Sequence, residues 1–304
     1  MNVLSLFDGM SSGQVALNKA GIKYDNYYAA EIDKYAITVT QYNYPGTTQL
    51  GDVTKVSGKE LPKIDLLLGG SPCQGFSFAG KGLNFDDPRS KLFFEYVRIL
   101  KECREKNPNI KFLLENVRMK KESQDIISKY LGVEPVKINS SLVSAQNRVR
   151  LYWTNISDCI KQPEDKQIVL RDIIEYDVVD RDKSYCVDAN YFKGGKLRSN
   201  FEDGRRQLVF EKPHGWNKGG IKGKEKFGTL RECTNYNYAI MDNMVWRKLT
   251  PTECERLQTV PDGYTLVDEY GKQIVSNSQR YKMLGNGWTV DVIVHILKHL
   301  KKNI

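Results

Sequence analysis

Hydrophobic and polar positions in the first half of the chain follow two alternating patterns. Short, nearly continuous apolar runs predict strands at residues 3–7, 27–31, 66–69, 112–115 and 149–155. Between them, apolar residues recur at helical spacing and predict helices at residues 13–20, 34–43, 90–106 and 123–131. Strands that alternate with helices indicate an α/β fold, here a doubly wound, Rossmann-like sheet of parallel strands.

The pattern changes after residue 157. Residues 191–231 are rich in glycine, basic and aromatic residues without a clear period, which predicts loops around short strands. Regular patterning returns near residue 244. Thr250, Pro251 and Glu253 then predict a capped helix start, and two more helices are predicted at 278–284 and 289–302. We therefore divide the chain into a large α/β domain (1–157), a smaller loop-rich domain (158–244) and a segment that completes the first domain (245–304).

Charge and composition narrow the class of protein. The net charge of the 304 residues is +9, and residues 193–231 hold eleven basic and four acidic residues, which favours a polyanionic partner. No apolar stretch approaches eighteen residues and no signal peptide is visible, so we expect a cytoplasmic protein that does not contact membranes. The six cysteines lack metal-ligand spacing. His295 and His299 are four residues apart without a third ligand, so no metal is expected.

Two apolar runs end on chemically reactive residues. Cys73 follows the run at 66–68, and Glu115 ends the run at 112–114. Because parallel strands deliver their carboxyl ends to one edge of a sheet, we expect both side chains at that edge. A thiolate adds to an electron-poor ring carbon such as cytosine C6, and a carboxyl group that protonates N3 assists the addition. The addition makes C5 nucleophilic, so it can accept a methyl group.

The first strand leads into a turn that is typical of nucleotide binding. Asp8-Gly9 and Gly13 lie between a strand and a helix start, but the G-x-G-x-x-G spacing is not met, which disfavours an NAD-dependent dehydrogenase. Glu31 and Asp52 follow the next two apolar steps and are predicted to accept from ribose hydroxyls and an adenine amine. Together, the turn after the first strand, Glu31 and Asp52 fit an adenosine without pyrophosphate, as in S-adenosylmethionine.

Five motifs occur in one order along the chain: Ser71-Pro72-Cys73-Gln74-Gly75-Phe76-Ser77, Glu115-Asn116-Val117, Gln146-Asn147-Arg148-Val149-Arg150, Arg256-Leu257-Gln258 and Leu284-Gly285-Asn286-Gly287. Together they resemble the motifs of the DNA cytosine-5 methyltransferase family. The resemblance implies a methyltransferase that uses S-adenosylmethionine, with Cys73 as nucleophile and Glu115 at the cytosine N3 edge. It implies that Arg148 and Arg150 line the site, Arg148 polarising the base carbonyl. It also implies cofactor contacts by Phe7, Asp8, Gly9, Ser12, Glu31, Ile32, Asp52, Val53, Pro72, Asn286, Gly287 and Trp288.

The same resemblance implies how DNA is bound. Residues 158–244 correspond to the target-recognition domain, and residues 73–91 to a loop that closes over double-stranded DNA from which the target base is flipped. The candidate DNA-binding residues are Gln74, Ser77, Lys81, Arg205, Arg206, Lys222 and Arg231. A bacterial or phage modification system is expected, with a restriction endonuclease as a possible partner. Ser11-Ser12 in the cofactor turn and Trp288 in the last motif depart from the common pattern and resemble the de novo-type subgroup.

Two other functions stay open at this stage. One branch of the family methylates tRNA, but its Cys-Phe-Thr tripeptide does not occur in this sequence. The other alternative is a catalytically silent DNA-binding module. The intact Pro72-Cys73-Gln74 and Glu115 argue against it.

Overall fold

A computed structural model describes residues 1–71, 91–175, 178–193, 206–207, 209–211, 245–269 and 272–300. Its centre is a seven-stranded sheet in the order β3-β2-β1-β4-β5-β7-β6. The strands are β1 Asn2–Leu6, β2 Asn26–Ala30, β3 Thr48–Gln49, β4 Leu66–Gly69, β5 Lys111–Val117, β6 Val136–Asn139 and β7 Val149–Thr154. Strand β7 runs antiparallel to both neighbours, and the other pairs are parallel. The predicted fold class is confirmed.

The described helices lie close to their predicted positions. They are α1 Ser12–Ala20, α2 Lys34–Asn43, α3 Lys91–Lys106, α4 Lys121–Leu131, α5 Pro251–Leu257, α6 Asn277–Asn286 and α7 Val290–Leu297. Helix α7 ends at Leu297, so the predicted extension to residue 302 is wrong for the described residues 298–300. The short strands β3 and β6 were not predicted, because neither has an apolar run of its own.

Both faces of the sheet are buried, which explains the nearly continuous apolar runs. Consecutive side chains of a strand point to opposite faces, so Val3 and Leu4 enter two different hydrophobic clusters, as do Leu113 and Leu114. One cluster includes α1 and α7, and the other includes α3 and α4. The sheet is therefore the middle layer of three.

The strand order places a crevice at the carboxyl edge of the sheet. From β1 the chain continues outward through β2 and β3, then returns to β4 on the other side of β1. At such a switch point the loops after β1 and β4 diverge and leave room for a ligand. The antiparallel direction of β7 brings its first residues to this same edge, where Arg150 pairs with Val117. A parallel β7 would have left them at the opposite edge.

The C-terminal segment packs back onto the start of the chain. Helix α5 begins as predicted: Thr250 Oγ1 accepts from the Glu253 amide at 3.1 Å, Glu253 Oε2 accepts from the Thr250 amide at 2.7 Å, and Pro251 is the first helical residue. The Tyr264 hydroxyl donates to the Met10 carbonyl at 2.6 Å. An ion pair also joins Lys19 of α1 to Asp291 of α7.

Two smaller sheets lie outside the central one. An antiparallel sheet has the order β10-β9-β8, and β11 pairs with β12 as a hairpin. These strands are β8 Val178–Val179, β9 Val209–Glu211, β10 Val245–Arg247, β11 Asp268–Glu269 and β12 Lys272–Gln273. Leu170, Val187 and Tyr191 share the hydrophobic cluster of α1 and α7. The division of the chain at residues 157 and 244 stays a prediction. None of the helices in the described ranges is long and apolar enough to cross a membrane.

Gly285 of α6 provides a test of this packing. A Cβ atom at Gly285 would lie 2.2 Å from the Asp188 carbonyl carbon, whereas one at Gly46 would have no neighbour within 4 Å. We expect Gly285→Ala to lower the free energy of unfolding by about 3 kcal/mol, the upper end of overpacking costs. Gly46→Ala is the matched control and should leave it nearly unchanged. Equal urea midpoints for the two variants would show that the 188–189 backbone yields freely.

Candidate active site

A cleft of about 720 Å³ opens at the carboxyl edge of the sheet. It is bounded by the turn after β1, the ends of β2, β4 and β5, the start of β7 and the loop between α6 and α7. The predicted site residues that line it are Phe7, Asp8, Gly9, Ser12, Glu31, Ile32, Asp52, Val53, Glu115, Arg148, Arg150, Asn286, Gly287 and Trp288. The fold thus brings residues from six separate stretches of sequence to one cavity.

Several predicted site residues lie outside the described part of the chain. They are Pro72, Cys73, Gln74, Ser77, Lys81, Arg205, Lys222 and Arg231. The described chain reaches the cleft wall at Ser71, which is buried. The Asn116 side-chain amide donates to Ser71 Oγ at 3.2 Å and to its carbonyl at 3.4 Å. The residue after Glu115 thereby anchors the residue that precedes Pro72-Cys73.

The turn after β1 has an unusual backbone. Phe7, Gly9 and Ser11 have φ values of 58°, 59° and 61°, in the left-handed region. Two of the three are not glycine, and such conformations cost of order 1 kcal/mol each and concentrate at functional sites. The turn ends where α1 begins, and Ser12, the first residue of that helix, lines the cleft.

Asp8 is a buried carboxylate with one unpartnered oxygen. Its Oδ1 accepts from the Tyr27 hydroxyl at 2.8 Å, while Oδ2 has no hydrogen-bond partner among the described residues. Burial raises the pKa of Asp8 to about 6, and the nearby Glu31 adds to the effect. Ser12 Oγ, also in the cleft wall, has no partner among the described residues either. Two buried polar atoms without partners indicate that a ligand completes this corner.

The ends of β2 and β3 present two acidic side chains and one apolar one. Glu31 Oε2 accepts from the Gly9 amide at 2.7 Å, and Oε1 accepts from the Ile32 and Asp33 amides at 2.8 Å. The Ile32 side chain is 75% exposed at the cleft. Hydrogen bonds from Thr54 lower the pKa of Asp52, which therefore stays ionised at neutral pH. Each carboxylate keeps lone pairs that a ligand hydroxyl or amine can reach.

Glu115 lies on β5 with its carboxylate held at both oxygens. Arg150 Nε is 3.0 Å from Oε1, and the Trp288 indole Nε1 donates to Oε2 at 3.2 Å. The register explains the first contact: Glu115 pairs with Tyr152 of β7, and Arg150 lies two residues along on the same face. Glu115 is only 9% exposed, so the contacts act in a site largely shielded from water.

Arg148 is engaged by the protein itself. Its guanidinium donates to Cys186 Sγ at 3.1 Å and to the carbonyls of Val187, Gly285 and Gly287 at 3.0, 3.1 and 2.9 Å. Burial and the neighbouring charge of Arg150 lower the pKa of Arg148. With four acceptors in the protein, Arg148 clamps the α6–α7 loop. Arg150 Nη2, by contrast, has only a 3.7 Å contact to Cys186 Sγ and is the better placed of the two to reach a ligand.

Arg206 is likewise used within the protein. Its guanidinium donates to the carbonyls of Tyr191 and Asn190 at 2.6 and 3.1 Å and lies 4.5 Å from the centroid of the Tyr191 ring. Arg206 does not line the cleft. Its contacts tie residues 190–191 to the segment before β9.

Not every residue of the cleft wall was assigned a role from the sequence. Those without one include Asp33, Gly70, Ser71, Asn116, Met283 and Gly285, of which Ser71, Asn116 and Gly285 belong to the quoted motifs. Most of them lie next to a predicted site residue or motif in the sequence, and that proximity is the signal that could have identified them. Their roles depend on the packing between elements, which a single sequence does not record.

The fold and the cleft are typical of α/β methyltransferases. The Dnmt2 methyltransferase of S. pombe superposes with a TM-score of 0.71 over 100% of this chain and 99% of its own, at 20% identity. The family model for C-5 cytosine-specific DNA methylase matches residues 1–302, and the chain belongs to this family. Type II methyltransferase M1.ScrFI of Lactococcus lactis subsp. cremoris is 31% identical over 96% of this chain and 75% of its own. Type II methyltransferase M.NgoBI of Neisseria gonorrhoeae is also 31% identical, over 95% and 90%.

These comparisons confirm the resemblance that the motifs indicated. The protein is a DNA (cytosine-5-)-methyltransferase by family. Members of this family use S-adenosylmethionine, and the family name implies DNA as substrate. The likeness to Dnmt2, at 20% identity, concerns the fold alone.

The buried Asp8 carboxylate predicts a pH-dependent stability. Its pKa is about 6 in the folded protein against 3.8 when exposed, so this contribution to stability falls as pH rises from about 4 to 6. We expect Asp8→Asn, which keeps an acceptor for Tyr27, to raise the free energy of unfolding at pH 7.5 by about 1–3 kcal/mol, given 1.36 kcal/mol per pKa unit. Asp52→Asn is the control and should bring no gain. Urea titrations at pH 4 and 7.5 measure both, and an unchanged pH dependence in Asp8→Asn would contradict this account.

The two arginines should differ when each is replaced by lysine. Lysine at 148 lacks the planar fork and leaves several buried acceptors unpaired, so Arg148→Lys should cost about 3 kcal/mol of folding stability. Lysine at 150 keeps a charge beside Glu115, and Arg150→Lys should fold nearly as stably as the parent protein. Thermal unfolding distinguishes them. Similar losses of folding stability in both variants would show that the contacts of Arg148 stabilise the fold no more than those of Arg150.

Proposed function

We propose that this protein transfers a methyl group from S-adenosylmethionine to C5 of cytosine in double-stranded DNA, through a covalent bond between Cys73 and C6. The observation that carries the proposal is Glu115, held by Arg150 and Trp288 beside a nucleoside-sized cleft. Membership in the C-5 cytosine-specific DNA methylase family supports the same reaction.

The described cleft fits the proposed cofactor. Asp8 Oδ2 and Ser12 Oγ lack partners among the described residues, and a carboxylate in that position complements the positive charges of S-adenosylmethionine. Ile32 offers apolar surface for an adenine, while Glu31 and Asp52 offer acceptors for ribose hydroxyls and the adenine amine. When bound, S-adenosylmethionine supplies an electrophilic methyl group.

The protein's own residues account for activation of the base. Cys73 sulfur forms a bond to C6, and Glu115 donates a proton to ring N3, which draws electron density away from C6. The electron pair made available at C5 then takes the methyl group. Loss of the C5 proton to a base, departure of the Cys73 thiolate from C6 and return of the N3 proton to Glu115 restore the aromatic ring and the starting state of the enzyme. Because Arg148 is engaged by four protein acceptors, we assign the contact with the base carbonyl to Arg150.

DNA binding is proposed for residues 73–91 and for the basic residues between positions 193 and 231. A base within a duplex cannot reach the cleft, so the target cytosine must be flipped out at a cost of a few kcal/mol. Gln74, Ser77 and Lys81 are candidates to fill the gap that the flipped base leaves. Arg205, Lys222 and Arg231 are candidates to contact phosphates or guanine edges. Because Arg206 binds Tyr191 and Asn190, we no longer expect it to read a base.

A modification system is the proposed context. Two relatives that cover most of this chain are named type II methyltransferases, which supports a bacterial or phage modification enzyme. A restriction endonuclease that cuts the same unmethylated site is then the expected partner.

A covalent trap tests the reaction directly. The protein is incubated with tritiated S-adenosylmethionine and duplex DNA that contains 5-fluorocytosine. A labelled protein–DNA adduct should appear on a denaturing gel, because fluorine replaces the C5 proton whose loss would otherwise release Cys73 from C6. Cys73→Ala should abolish the adduct, and Cys159→Ala, at an exposed cysteine, is the matched control. An adduct that persists in Cys73→Ala would refute the nucleophile. Labelling of tRNA without labelling of DNA would favour the RNA branch.

A further inference from the structure

Trp288, in the loop between α6 and α7, lines the cleft and donates a hydrogen bond to the Glu115 carboxylate. Its indole N–H lies 3.2 Å from Glu115 Oε2, and the ring is 8% exposed. It sits beside Asn286 and Gly287, which belong to the same wall of the cleft. The indole therefore joins the α6–α7 wall of the cleft to the Glu115 carboxylate.

The backbone that carries Trp288 is held from two directions. Arg148 donates to the carbonyls of Gly285 and Gly287, and the Gln258 side-chain amide donates to the Leu284 carbonyl at 2.6 Å. The Thr289 hydroxyl donates to Gln258 Oε1 at 3.0 Å. Residues on both sides of the tryptophan are thus fixed, so the direction of its N–H is set by the fold.

Gly70, which has no side chain, lets the backbone lie close to the indole and the carboxylate. A Cβ atom at Gly70 would lie 2.9 Å from Trp288 Nε1 and 3.2 Å from Glu115 Oε2. The backbone just before Ser71 is therefore packed against the hydrogen bond between Trp288 and Glu115. Three elements meet at one point: the end of β4, the carboxylate on β5 and the α6–α7 loop.

We propose that Trp288 is a positioning residue that sets the orientation of the Glu115 carboxyl group and links it to occupancy of the cofactor cleft. Oε1 is held by a charged guanidinium and Oε2 by a neutral donor, so the two oxygens are not equivalent. The inference rests on the proposed function, because it presumes that Glu115 acts on cytosine.

The test is Trp288→Phe, which keeps an aromatic wall and removes only the N–H donor. Trp153→Phe is the matched control, because the Trp153 indole donates to Ser128 Oγ at 3.0 Å in the buried core, outside the cleft. We expect kcat of Trp288→Phe to fall about tenfold, as for one hydrogen bond to a charged group, with KM for S-adenosylmethionine nearly unchanged. Trp153→Phe should keep the kcat of the parent protein.

Two further measurements test whether Trp288 and Glu115 act together. Adding S-adenosylmethionine without DNA should change tryptophan fluorescence in the parent protein and in Trp153→Phe, but not in Trp288→Phe. In a Glu115→Gln background, Trp288→Phe should cause no further loss of kcat, because the two residues act as one unit. If the parent protein methylates DNA and Trp288→Phe matches Trp153→Phe, this inference is wrong. If the parent protein labels no DNA, the proposed function itself fails.

Discussion

A buried guanidinium joins the parts of this molecule that form the cleft. Arg148 lies just before β7, and its donors reach Cys186 and Val187 on one side and the carbonyls of Gly285 and Gly287 on the other. Burying a charge is costly unless each donor finds an acceptor, so these three segments must arrive together. The position of Trp288, and through it the orientation of Glu115, depends on that arrangement.

The direction of β7 is the second constraint. Six strands of the central sheet run parallel, and such a sheet offers only carboxyl ends at its functional edge. An antiparallel β7 adds a strand whose amino end lies at that edge, which brings Arg150 next to Glu115. A carboxylate from β5 and a guanidinium from β7 thereby meet on one face of the sheet, although Glu115 and Arg150 are 35 positions apart in the chain.

Much of this could be predicted from the sequence, for identifiable reasons. The apolar runs at β4 and β5 are short and continuous, and the capping residues Thr250 and Glu253 act within one helical turn. Such signals are local. The direction of β7, the four acceptors of Arg148 and the indole contact of Trp288 depend on residues more than 30 positions apart. Arg148 lies in a motif and Arg206 lies in the basic segment, so a contact with the substrate was expected for both residues. Only the fold shows that backbone carbonyls occupy them.

The cleft is assembled from residues that lie far apart in the chain. The turn after β1 precedes Trp288 by most of the described sequence, while α1 and α7 pack directly on each other through Lys19 and Asp291. During synthesis on the ribosome, the early strands can pair long before this wall exists. A nascent chain therefore holds an incomplete cleft until α7 has emerged and packed against α1.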